Sequence, residues 1–250
     1  MPCLSCGNTT TCKAHIQPAA IGKDITKRSG GKTPSLLAPN QHRIQVGGLF
    51  DDNILCSKCD GKLGVFDDHA IAISRLLGTL HEVIDHRANR FTITYSDRVN
   101  HQQLALFGAA VAWRASVSKI CRDLSGFTLG KNEAWFRDMI FRRNNEIPTV
   151  LIARIVGGNP ISHEAAMTML SYPVKIKIRG ISLARFYVRG MMFLIQTTRN
   201  ADASLLADAV TTFGGGAGLN CLTGSLMPFE KLGDLPQVEK SKYIQHVLSS

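Results

Sequence analysis

Cys3-Leu4-Ser5-Cys6 and Cys56-Ser57-Lys58-Cys59 are two CxxC pairs, and between them lies one short segment, His15-Ile16-Gln17-Pro18. Two residues between cysteines let both thiolates reach one tetrahedral ion without backbone strain. Two such pairs supply the four ligands of a closed, structural zinc site. Two disulfides are the alternative for the same residues, and the compartment decides between them. The start, MPCLSCGN, has no basic stretch leading into an apolar one, and no later run is long and apolar enough to span a bilayer. The expectation is a cytoplasmic protein with no membrane association, where paired CxxC elements are metal sites. Cys12 is close enough to replace Cys3 or Cys6 as a ligand. Cys121, in an apolar helical stretch, and Cys221, after a glycine-rich loop, read as buried small hydrophobes.

Outward from the first pair, Gly7 and Asn8 suit the tight turn of a knuckle within residues 1–12, and Thr9 to Thr11 have strand character. Residues 22–48 shift to Gly, Pro, Lys, Ser and Asn and read as a long basic loop. Phe50 to Leu55 then lead into the second pair, Asp60-Gly61-Lys62 reads as a turn, and Asp67-Asp68 as the start of a helix over roughly 67–86. A knuckle, a strand pair and a helix with the second cysteine pair is the treble-clef order.

Further along, Phe91 to Tyr95 alternates as a strand, and residues 99–122 are apolar on nearly all sides, as a core helix would be. Lys131 to Arg143 reads as another helix, stopped by Pro148. Strands follow at Thr149–Val156, Pro173–Arg179, Ile181–Arg189 and Met191–Thr198. The glycine run at 213–218 lacks both the GxGxxG spacing and a following Lys-Ser or Lys-Thr, which favours a flexible linker over a phosphate cradle. Residues 236–248 suit a short amphipathic helix. The fold class is therefore α+β: an amino-terminal zinc-bound treble-clef, ββα-metal-like module over residues 1–70, packed on a larger lobe of helices and antiparallel sheet over 71–250.

Charge narrows the partners. The net charge is +10, with 29 Lys and Arg against 19 Asp and Glu, which favours a polyanion, and nucleic acid is the commonest one. Lys23, Lys27, Arg28, Lys32 and Arg43 in the 22–48 segment could follow a phosphate backbone; a merely solvated insertion is the alternative. In Val174-Lys175-Ile176-Lys177-Ile178-Arg179 the apolar and basic residues alternate, placing Lys175, Lys177 and Arg179 on one sheet face and the branched residues on the core face. With Arg185, Arg189 and Arg199 nearby in sequence, that face is either nucleic-acid-facing or simply solvated.

The segment Lys13-Ala14-His15-Ile16-Gln17-Pro18, followed by Asp51-Asp52-Asn53-Ile54-Leu55-Cys56-Ser57-Lys58-Cys59-Asp60, resembles the HNH endonuclease family in its cysteine-containing, treble-clef form. The resemblance covers residues 3–70. It implies cutting of DNA, more than RNA, by one Mg2+ or Mn2+ distinct from the structural zinc. His15 then takes the place of the general base that deprotonates water, Asn53 that of the residue orienting it, and Asp60 that of a metal ligand. Two positions depart from the pattern: Ala14 stands where the family has a metal-binding Asp, Glu or His, and Gly64 stands where a further ligand would fall. Asp67, Asp68 and His69 lie one helical turn on and could substitute. The alternatives are a non-catalytic, degenerate module that only binds nucleic acid, and an interaction protein with a protein partner or a second copy of itself.

Overall fold

The computed structural model describes residues 2–30, 35–38, 41–44, 48, 50–77, 90–92, 100–154, 167–178, 180–199 and 223–225. It is an α+β protein in which a four-cysteine module and a helix-backed antiparallel sheet share one apolar core, running from Cys3 and Cys59 to Phe193 and Ile195. Strand β1 (Ala14–His15) pairs antiparallel with β4 (Phe50–Asp51), and between them lie helix α1 (Ala19–Arg28) and the hairpin β2 (Ser35–Ala38) and β3 (Gln41–Ile44). The 22–48 segment is thus not the long loop its composition suggests. Ile21 and Ile25, one helical turn apart, bury α1 against the core, while Lys23 and Lys27 stay exposed.

Helix α2 spans Ser57–Leu77, so it begins inside the second CxxC pair and continues past residue 70. Asp60-Gly61-Lys62 is helical, spanning its first and second turns, rather than a turn of its own, and Asp67 lies mid-helix rather than at a start. Leu63, Phe66, Ala70 and Ile73 line its buried side at spacings of three and four. The expected strand character at Thr9 to Thr11 does not appear there. Residues 78–86 lie outside the described residues, as do most of the strand expected at 91–95 beyond β5 (Arg90–Thr92), the 213–218 run and the 236–248 helix.

The apolar stretch after Asn100 is two helices: α3 (His101–Val117), capped by the Asn100 side chain at Gln103 N–H (3.0 Å), and α4 (Lys119–Ser125), capped by Ser118. Helix α5 (Glu133–Ile140) ends eight residues before Pro148. Arg142, at φ 52°, takes the left-handed position usually left to glycine, and the Arg142 and Arg143 N–H groups close back on Met139 and Asp138 carbonyls (3.0 and 2.7 Å).

The main sheet has the order β6 (Val150–Arg154), β9 (Met191–Gln196), β8 (Ile181–Val188), β7 (Val174–Ile178), all antiparallel. Its Phe186 and Phe193 meet Phe107 of α3. Gly108 permits this approach, since a Cβ there would sit 2.8 Å from Ile195 Cδ1. The register puts Lys175 and Lys177 on the same face as Phe186, not opposite the packed face. Because β7 is the edge strand, the two lysines remain exposed. Arg185 and Arg189 are buried, at 4% and 5% exposure, and so form no part of an outer basic face. Among the described residues no single helix is long and apolar enough to cross a membrane.

Candidate metal centre and the adjoining polar site

The thiol sulfurs of Cys3, Cys6, Cys56 and Cys59 all lie within 4.8 Å of one another, and this group could hold a metal ion. Local backbone chemistry builds the first half: Cys3 N–H donates to Asn8 O (2.7 Å) and Gly7 N–H to Cys3 O (2.8 Å), with Gly7 at φ 77° completing the turn. The second half comes from a helix terminus, where Cys56 precedes α2 and Cys59 lies in its first turn. Two backbone bonds lash the halves together, Leu4 N–H to Ile54 O (3.0 Å) and Cys12 N–H to Leu55 O (2.8 Å). Cys12 itself stays outside the four-sulfur group, and Cys121 is a buried thiol of α4.

The thiols are electrostatically unequal. Burial pushes Cys3 up, but backbone N–H groups of Cys56, Cys6 and Ser5 outweigh it and bring the thiol down to about 7. Cys59 is pushed up to about 12, chiefly by burial and then by its sulfur neighbours. Four sulfurs in so small a volume carry charge together only when a cation is shared among them.

Of the three residues expected to act beside this centre, Asp60 follows Cys59 directly in α2, Asn53 lies in the turn that leads to Cys56, and His15 lies on β1 opposite Phe50. Strand alternation turns Ala14 fully inward and leaves His15 half-buried, its ring 5.9 Å from that of Phe50. The Lys13 ammonium lies 3.7 Å over the other side chain of that pair, the Phe50 ring. Burial, followed by the positive charges of Lys13 and Arg114, holds the His15 imidazole below its ordinary pKa; Asp67 opposes the shift. Asp60 is half-buried in the first turn of α2; burial and then Asp67 raise its carboxyl, while Arg114 pulls it down. Asn53 is exposed in the turn before α2, its N–H donating to Asp51 Oδ1 (2.9 Å).

Two residues that the sequence does not advertise complete the site. Arg114, only 1% exposed on α3, donates a fork of hydrogen bonds to Asp67, Nη1 to Oδ2 at 2.9 Å and Nη2 to Oδ1 at 2.7 Å. Asp51, also buried, accepts from Ser118 Oγ at 2.8 Å. Further hydrogen bonds run from Arg143 to the Ser5 carbonyl, from Asn100 N–H to His69 Nε2 (3.0 Å), and from Gln17 Nε2 to Ser171 O (2.8 Å). Of the three α2 residues expected as substitute ligands, Asp67 is held by Arg114, His69 turns to Asn100, and Asp68 is exposed. Gly64 offers no ligand, although a side chain there would meet nothing within 4 Å.

Of the basic residues expected at phosphate, Lys23, Lys27, Lys175 and Lys177 are exposed and Arg28 is half-buried in the last turn of α1. Arg43 lies in β3, and Lys32 and Arg179 fall outside the described residues. No family model, curated protein or solved structure matches this chain.

Proposed function

We propose that this chain is an HNH-like, zinc-held protein that binds nucleic acid, DNA before RNA, without cutting it. The convergence of four thiols carries the reading. A tetrahedral zinc with Zn–S bonds of about 2.3 Å requires sulfurs about 3.8 Å apart, and Cys6 Sγ lies 3.7 Å from Cys56 Sγ. Four protein ligands close the coordination sphere and leave no position for water or substrate, so the zinc is structural. The surplus of positive charge and the exposed Lys13, Lys23 and Lys27 on the module supply the attraction for phosphate.

Cutting would need a second, divalent ion such as Mg2+ or Mn2+, and the residues present do not fit one. Among the described residues no other group of three or more His, Cys, Asp or Glu side chains converges. Ala14 is buried and has no ligand atom, and Asp67 is committed to Arg114. The competing endonuclease reading draws on His15, a half-buried imidazole whose lowered pKa favours the unprotonated form a general base needs.

Fluorescence anisotropy with a labelled DNA duplex, a single strand and an RNA, across a salt series, separates the readings when run beside a plasmid assay in Mg2+, Mn2+ and Ni2+. Binding that weakens steeply with salt, with intact plasmid, supports the proposal. Cleavage that disappears in His15→Ala at unchanged zinc content replaces it with the nuclease. No binding at low salt removes both and leaves the protein-interaction alternative.

A further inference from the structure

We infer that the Arg114 guanidinium is the resident cation of the polar site beside the zinc centre, supplied by α3 to the carboxylates of α2, and that it excludes a divalent ion from that site. The inference rests on the HNH-like reading of the module and deepens it by naming what fills the position.

α3 is otherwise an apolar helix: Leu104, Leu106, Phe107, Ala109, Ala110, Val111, Ala112, Trp113 and Ala115 are all buried. A single arginine at 1% exposure in such a helix is costly to desolvate unless its partner is well placed. Asp67 meets it with both oxygens, in the fork geometry that satisfies two of its nitrogens. Asp60, seven residues before Asp67, lies on the same side of α2 as the fork, and the guanidinium charge disfavours protonation of the half-buried His15. Its Nε is buried with no hydrogen-bond acceptor, so the group has given up solvation to reach Asp67. A divalent ion entering beside Asp60 and His15 would meet a fixed like charge and lose Asp67 as a ligand. The same fork ties the module to the larger lobe, together with the Ser118 to Asp51 hydrogen bond one helical turn along.

The test titrates the full-length, zinc-loaded protein with Mn2+ alone and follows free Mn2+ by electron paramagnetic resonance. Wild type should bind Mn2+ only weakly and without stoichiometry. Arg114→Gln should bind one Mn2+ at least on the order of a hundredfold more tightly than wild type does, the scale of removing a unit charge a few ångströms away at an effective dielectric near that of a protein site. Adding Asp67→Asn should abolish the gain. Stoichiometric Mn2+ binding by wild type that is lost in His15→Ala or Asp60→Asn would overturn the inference, as would a folded, zinc-loaded Arg114→Gln with no Mn2+ site. Where Arg114→Gln does not fold, the wild-type titration with the His15 and Asp60 variants still decides. Salt-dependent nucleic-acid binding is a separate readout: its loss sinks the proposed function, whereas stoichiometric Mn2+ binding by wild type sinks only the role given to Arg114.

Discussion

Two clusters of ionisable groups draw on α2, one at its start and one along its length, and they solve the problem of buried charge in opposite ways. At the four-thiol centre the like-charged groups converge on one another, with Cys59 pushed up to about 12 by burial and neighbouring sulfur. At the adjoining site Asp67, Asp60 and His15 are arranged around a cation from the chain itself, Arg114. The first arrangement asks for an external ion and the second is already compensated. A ligand set is therefore recognised by convergence of donors, and proximity of carboxylates and a histidine is not enough.

The largest test of that contrast removes the ion. Stripping zinc with a chelator, or replacing Cys59 with Ser, should unfold the module, because zinc binding at a four-thiolate site contributes on the order of 10 kcal/mol to folding. Circular dichroism and metal analysis would check this, and a melting curve indifferent to chelator would refute it. Next, Arg114→Met should cost about 3–5 kcal/mol in denaturant unfolding, because it strands Asp67. Combining it with Asp67→Leu should recover most of the loss, so a double variant no better than the single one would show that the pair is not the unit. Ser118→Ala leaves a buried Asp51 oxygen short of a donor and uncaps α4, and should cost about 1–3 kcal/mol. A smaller change should distinguish the two clusters by pH. The His15 imidazole titrates below its ordinary value, so the unfolded chain takes up a proton that the folded chain refuses. Stability is then undiminished above the ordinary imidazole range and falls as pH drops through it toward the folded value. Histidine NMR should place the His15 midpoint below that of a free imidazole. Finally, Gly64→Ala, in open space on α2, should raise stability by about 0.5–1 kcal/mol, measured by thermal unfolding.

The sequence made the thiol centre and the main sheet readable for one reason: both are local patterns. A CxxC spacing is set within four residues, and the alternation in Val174 to Ile178 is set residue by residue; it marked the strand but not which face packs, since Lys175 and Lys177 share the face of Phe186. Of the strand pair only the second member was legible: Phe50 pairs with His15 rather than with the threonines at 9–11. What escaped was long-range. Arg114 reads as one polar residue in an apolar helix, and its partner lies 47 positions away on α2. Asp51 and Ser118 are 67 apart. Helix α1 was hidden by the Gly and Lys around it, since only Ile21 and Ile25 mark its buried stripe. The start of α2 was hidden because Cys59 and two glycines occupy its first turns, where tertiary packing of Leu63 and Phe66 overrides weak propensity. Arg142 in the left-handed position ended α5 where a glycine would have announced the stop.

The most direct test of the central claim is zinc-edge X-ray absorption, with metal analysis, on the full chain purified without added metal and again as Cys12→Ser. The account predicts one zinc per chain with four sulfur neighbours at about 2.3 Å in both proteins. A nitrogen or oxygen neighbour, a disulfide among residues 3, 6, 56 and 59, or loss of the metal in the Cys12 variant would contradict it.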